Sequence, residues 1–169
     1  MKATTSQLDS LVRDSLCEFV SDVFATSWWG KEREAVSFYA FGYLSKFCKA
    51  GSILYDLAQI GIEVRVPKPE SLGRKREVCK DLLIWPKPGM NCWNKERKAQ
   101  NYPLAVLEWK VNQRDTSRHD LDWLLAFSAN RPNSVGYAVC LDLYEREFRL
   151  RCTRVRNSRP NNKWLVIKP

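Results

Sequence analysis

The stretch Pro103–Asn112, PLAVLEWKVN, decides the fold, because it reads as a buried strand that ends in charge. A side-chain period of two places Leu104, Val106, Glu108 and Lys110 on one face and Ala105, Leu107, Trp109 and Val111 on the other. Both faces begin apolar. A strand covered on both sides has little reason to carry a carboxylate and an ammonium near its C-terminal end unless they are paired or do chemistry. Glu108 and Lys110 therefore read as half of an active site.

Lys80-Asp81-Leu82-Leu83-Ile84-Trp85-Pro86 supplies the other half. It reads as a second apolar strand, with Asp81 at its start and Pro86 stopping the ladder. Antiparallel pairing of the two strands lays Asp81 next to Glu108 and Lys110. Two carboxylates and a lysine at one sheet position suit a hard cation, Mg²⁺ or Mn²⁺, with the lysine serving a phosphate or a nucleophilic water.

Asp81, a long gap and then Glu108-x-Lys110 resembles the signature of the PD-(D/E)xK nuclease superfamily, which includes restriction-type endonucleases, Holliday-junction resolvases and repair nucleases. Two departures stand out: Lys80 occupies the position of the motif's proline, where no chemistry is expected, and the insert between the two acids is long. The resemblance implies a restriction-endonuclease-like αβββαβ core, a divalent metal held by Asp81 and Glu108, and a catalytic Lys110. It also implies a further acid on an N-terminal helix. Glu32 is the candidate, heading the stripe Ala35, Val36, Tyr39, Ala40, Tyr43, Leu44 and Phe47, with Glu34 as its competitor. Both acids also suit the first turn of a helix on dipole grounds alone.

The chain of 169 residues, 44% hydrophobic, has the length for one domain with a real core, and residues 1–169 are read as that single domain. A formal net charge of +9, from 28 Lys+Arg against 19 Asp+Glu, points to a polyanionic partner, nucleic acid first. A basic surface kept for solubility is the plainer alternative. Six scattered cysteines without a Cys-x-x-Cys pair, and a single histidine, argue against structural zinc. Free thiols packed in apolar runs fit the cytoplasm. The N-terminus lacks the apolar region of a signal peptide, and no apolar run approaches the ~20 residues of a membrane span, so no membrane partner is expected.

In chain order, Ser6-x-x-Asp9 resembles a capping box opening an amphipathic helix that ends near Thr26, and a second helix begins about Lys31. Ser52–Gln59 reads equally as a short helix or a loop. Ile60, Ile62, Val64 and Val66 alternate against Glu63 and Arg65 in a strand that Pro67 stops. Arg74, Lys75 and Arg76 then connect to the Asp81 strand, and a loop from Lys87 to Tyr102 carries Trp93, Lys95, Arg97 and Lys98. Positive charge beside an aromatic suits phosphates and a base, so these seven residues are the candidate nucleic-acid contacts. Ser117-x-x-Asp120 resembles a second capping box, opening a helix with Leu121, Leu124, Leu125 and Ser128 on one face, which Arg131-Pro132-Asn133 closes. Val135–Tyr144 is an apolar strand, Glu145-Arg146-Glu147 turns it, Phe148, Leu150 and Cys152 alternate in the next, and Trp164–Ile167 offers an edge strand. His119 reads as a surface residue.

The expected architecture is α/β, a central mixed sheet flanked by helices, with an extra N-terminal helix and C-terminal strands around the implied core. The expected function is a Mg²⁺- or Mn²⁺-dependent nuclease acting on nucleic acid, DNA ahead of RNA. The alternatives are a silent member of the same fold that only binds nucleic acid or protein, and an interaction module whose Glu108 and Lys110 form an ion pair. Endo- versus exonucleolytic action and oligomeric state, a homodimer included, stay open.

Overall fold

Alternating apolar strands with helical segments between them condense into a layered α/β structure. The computed structural model describes residues 2–73, 76–113, 115, 117–129, 131–144 and 148–169. Among them, helices α1 (Lys2–Thr26) and α2 (Glu32–Gly42) precede strands β1 (Ile60–Pro67), β2 (Glu77–Ile84) and β3 (Ala105–Val111). Helix α3 (Arg118–Ala129) then leads to β4 (Val135–Asp142), β5 (Arg149–Arg156) and β6 (Arg159–Ile167).

The strands form one mixed sheet in the order β1-β2-β3-β4-β5-β6. Only β3 and β4 run parallel, and a parallel pair needs a crossover, which α3 provides. Helices α1 and α2 bury Leu8, Val12, Leu16, Phe19, Val36 and Tyr39 against Leu82, Ile84, Leu107 and Trp109 on one face. Helix α3 buries Trp123, Leu124 and Phe127 against Leu83, Val106, Ala138 and Val155 on the other. Gly136 allows α3 to sit this close: a Cβ there would meet Leu124 Cδ2 at 2.8 Å.

Several local expectations change. Helix α1 begins well before Ser6, so the Ser6-x-x-Asp9 capping box is not used as a cap. Asp9 instead accepts hydrogen bonds from Tyr137 Oη at 2.7 Å and Arg154 Nε at 2.6 Å, tying α1 to the sheet. Helix α2 stops at Gly42 and gives way to a 3₁₀ turn over Leu44–Phe47, short of the continuous stripe. Ser52–Gln59 is loop apart from a 3₁₀ turn at Leu57–Gln59, capped by Asp56, whose carboxylate accepts from the Ala58 N–H at 2.8 Å. On α3 the buried face is centred on Trp123, Leu124, Phe127 and Ser128 instead of on the expected leucine stripe. The last strand is longer than Trp164–Ile167, because Asn157 and Ser158, with φ of 50° and 56°, make a tight hairpin turn from β5. Arg74, Lys75 and the expected turn Glu145-Arg146-Glu147 lie outside the described residues.

The largest departure is in β1 and β2. Ile60 and Ile62 pack on the α1/α2 side, whereas Val64 and Val66 pack on the α3 side. On β2 likewise, Leu82 and Ile84 face α1/α2 and Val78 faces α3. Both strands therefore swap faces at one level, where Glu63 adopts φ 51° opposite Asp81. Clean alternation through β1 does not hold, and Asp81 sits mid-strand in β2, four residues beyond Glu77 at its start.

Candidate active site

Trp109 is the anchor of the site. Its ring is fully buried, with its centroid 5.7 Å from that of Phe19 on α1 and 5.1 Å from that of Tyr39 on α2. That packing fixes β3 under both helices. The ladder between β2 and β3, in contrast, runs only from Leu82 opposite Leu107 to Ile84 opposite Ala105. Beyond it, side chains replace the missing backbone partners of Trp109. Asp81 Oδ2 accepts from the Trp109 N–H at 2.7 Å, and Lys110 Nζ donates to the Trp109 carbonyl at 2.7 Å. The sheet is thus split between β2 and β3, and the polar residues occupy the split.

Lys110 is gripped from both sides of the sheet. Its ammonium lies 3.2 Å from Glu32 Oε1 on α2 and 3.3 Å from Asp120 Oδ2 on α3. Burial pulls its pKa down, but Asp120 and Glu32 outweigh that and leave it above the ordinary lysine value, so it stays charged at neutral pH. Glu34 does not share this position. Its carboxylate accepts the Lys31 N–H at 2.7 Å and caps α2.

Glu108 points into the α3 side, where Lys80 Nζ lies 2.5 Å from its Oε1. Both side chains are 4% exposed, and the same ammonium sits 4.2 Å from the centroid of the Trp123 ring. Lys80, expected to be idle, is therefore a member of the cluster. The face swap in β2 is the reason, because it carries Lys80 onto the side of Glu108 where strict alternation would place it opposite. Burial pushes the Glu108 carboxyl up to about 8, Asp81 and Asp120 add repulsion, and Lys80 only partly offsets them. Burial raises Glu32 as well, against the attraction of Lys110 and with Asp81 and Asp120 reinforcing the shift.

The cluster thus contains four carboxyl groups, Glu32, Asp81, Glu108 and Asp120, and two amino groups, Lys80 and Lys110. By sequence Asp120 is the acid of a capping box with Ser117. The signal that could have found it is the short connection from Asn112, which sets the first turn of α3 over the charged end of β3.

A cleft of about 330 Å³ opens on the α2 side, lined by Glu32, Val36, Ile62, Glu63, Cys79 and Asp81 among others. Only Glu32 and Asp81 of the expected ligands line it. Among the described residues, no three His, Cys, Asp or Glu side chains group to hold a metal ion. An all-protein cage is therefore not built here. Two carboxylates facing one cleft do match Mg²⁺, which keeps several waters and takes one or two carboxylates together with substrate phosphates.

Three of the seven expected nucleic-acid contacts line a second concavity. Arg76, Trp93 and Arg97 line it with Arg65, Asn91 and Asn94, and Lys95 and Lys98 are exposed on the same loop. All six cysteines are free, and no described helix is long and apolar enough to cross a membrane.

Set against models of known protein families, curated proteins and solved structures, the chain matches none.

Proposed function

We propose that this chain is a divalent-metal-dependent nuclease of the restriction-endonuclease-like kind, cleaving phosphodiester bonds at the β2–β3 split. The observation that carries the reading is the gathering of Asp81, Glu32 and Lys110, from three separate elements, around the backbone of Trp109. The order of elements supports the fold reading, with three antiparallel strands, a crossover helix and a parallel fourth strand following an N-terminal helix.

Asp81 and Glu32 would hold Mg²⁺ or Mn²⁺, and Glu108 would join them only on release from Lys80. Bound there, the metal would polarise a scissile phosphate and acidify a water. Lys110, kept charged by Asp120 and Glu32, would orient that water and offset the charge that develops on phosphorus. Asp120 is a positioning residue for Lys110. The excess of positive charge over the chain suits a nucleic-acid substrate, DNA ahead of RNA.

One observation favours a second reading, a silent domain that binds nucleic acid without cutting it: each of the four carboxylates already has a partner within the protein. Incubation of the purified protein with single-stranded, duplex and branched DNA and RNA in Mg²⁺ or Mn²⁺ separates the two. Cleavage by wild type that is lost in Asp81→Asn supports the nuclease. Binding without cleavage on every substrate and metal supports the silent domain.

A further inference from the structure

The cleft and the basic concavity lie on the same two strands, one step apart. The cleft is lined by Ile62, Glu63, Cys79 and Asp81, and the concavity by Val64, Arg65, Arg76 and Glu77. At about 3.4 Å per strand residue, Glu63 and Arg65 are separated by roughly 7 Å. The face swap at Glu63 puts the two on opposite sides of the sheet, with Ile62 packed toward α2 and Val64 toward α3. Strand β1 is an end strand of the sheet, so the path between them passes around a free edge.

The concavity has the chemistry of a nucleotide site. Its volume is about 830 Å³, within the range of small-ligand pockets. Trp93 presents an indole that is half-buried against the Val106 and Trp123 cluster, which keeps it in place. Arg65, Arg76 and Arg97 line the concavity with it, and Glu77, the one acid among the described lining residues, is paired to Arg65 at 2.6 Å. Asn91 and Asn94 hold the loop: their carboxamide oxygens accept from the backbone N–H groups of Trp93 and Lys98, each at 2.8 Å. An aromatic ring and guanidiniums lining one concavity suit a base that is free to stack and a phosphate beside it. A base inside a duplex is already stacked and paired and must first give up both to enter, so an unpaired base is favoured.

We propose that this concavity takes an unpaired nucleotide of a single strand, whose backbone then bends around the edge of β1 to reach Asp81 and Glu32. The proposal rests on the nuclease reading for its direction, but the binding step stands apart from cleavage.

The experiment is fluorescence anisotropy of labelled oligonucleotides in EDTA, so that no cutting occurs. It uses a single strand, a blunt duplex and a duplex with a single-stranded overhang, with wild type, Trp93→Phe, Trp93→Ala and Arg97→Ala. The single strand and the overhang should bind at least about ten-fold more tightly than the blunt duplex, and Trp93→Ala should lose about ten-fold on them while Trp93→Phe keeps most of the affinity. Arg97→Ala, an exposed change that leaves the core alone, should weaken binding and reduce the salt slope by about one. Equal affinity for single strand and blunt duplex, or no effect of both Trp93→Ala and Arg97→Ala, overturns the proposal. So does displacement of the single strand by a free mononucleotide at comparable concentration, which would make the concavity a nucleotide pocket. Preference for the single strand without cleavage in any metal would sink the nuclease reading alone, whereas cleavage that ignores Trp93 would sink the groove alone.

Discussion

Glu108→Gln isolates the buried pair beneath α3. Glu108 is 4% exposed and its carboxyl is pushed to about 8, far above the 4.5 it has when unfolded. Between those two values the folded protein holds a proton that the unfolded chain has released, so stability falls as pH rises across the window. The slope for one group is about 1.36 kcal/mol per pH unit. From about pH 5.5 to about pH 7.5, wild type should therefore lose roughly 3 kcal/mol relative to Glu108→Gln, whose amide does not titrate. Near pH 5.5 the two should have similar stability, because a neutral carboxyl and an amide are close in size and both can face Lys80. Urea unfolding followed by tryptophan fluorescence at several pH values measures the difference directly. The reasoning is refuted if Glu108→Gln is already about 3 kcal/mol less stable at pH 5.5 and stays so at pH 7.5. That pattern belongs to an ionised Glu108 whose loss strands a buried Lys80.

Lys110→Met should reduce cleavage by about 10²- to 10³-fold in single-turnover assays with little change in nucleic-acid affinity, because its charge is needed mainly in the transition state. Its Mn²⁺ affinity should not fall, since Glu32 and Asp120 lose their ammonium partner. Asp120→Asn should lower the Lys110 pKa, of which Asp120 is the largest supporting charge, and the alkaline limb of the pH–rate profile should move to lower pH. Gly136→Ala should destabilise the fold by about 1–3 kcal/mol in thermal unfolding, because the new methyl would meet Leu124 Cδ2 at 2.8 Å and Leu124 Cβ at 3.1 Å.

The mixed α/β sheet was legible because β3 and β4 are apolar on nearly every position and α1 has strong helical spacing. Helical phase on α2 picked Glu32 over Glu34 as the acid on the site side, where it lines the cleft with Asp81 and pairs with Lys110, while Glu108 turns away to the α3 side. The membership of Lys80 was hidden, because a face swap at a left-handed Glu63 breaks the period on which face assignment depends. Asp120 was hidden behind a second use for its residue type, since a first-turn acid after Ser117 reads as a cap. The hydrogen bond from the Trp109 N–H to Asp81 depends on where the ladder ends, which no side-chain pattern records. The basic concavity was half legible: Arg76, Trp93 and Arg97 stood out by composition, but Arg65, Asn91 and Asn94 join them only through tertiary packing.

The most direct measurement is calorimetric titration of Mn²⁺ or Mg²⁺ into wild type and into Asp81→Asn in the same buffer, with circular dichroism showing that both are folded. The amide can still accept the Trp109 N–H, so the variant keeps the local hydrogen bond and loses only charge. The account predicts saturable binding of a dication by wild type and its loss or strong weakening in the variant. A wild-type protein that binds no divalent ion, or a variant that binds it equally well, contradicts the assignment of the β2–β3 split as a metal-dependent active site.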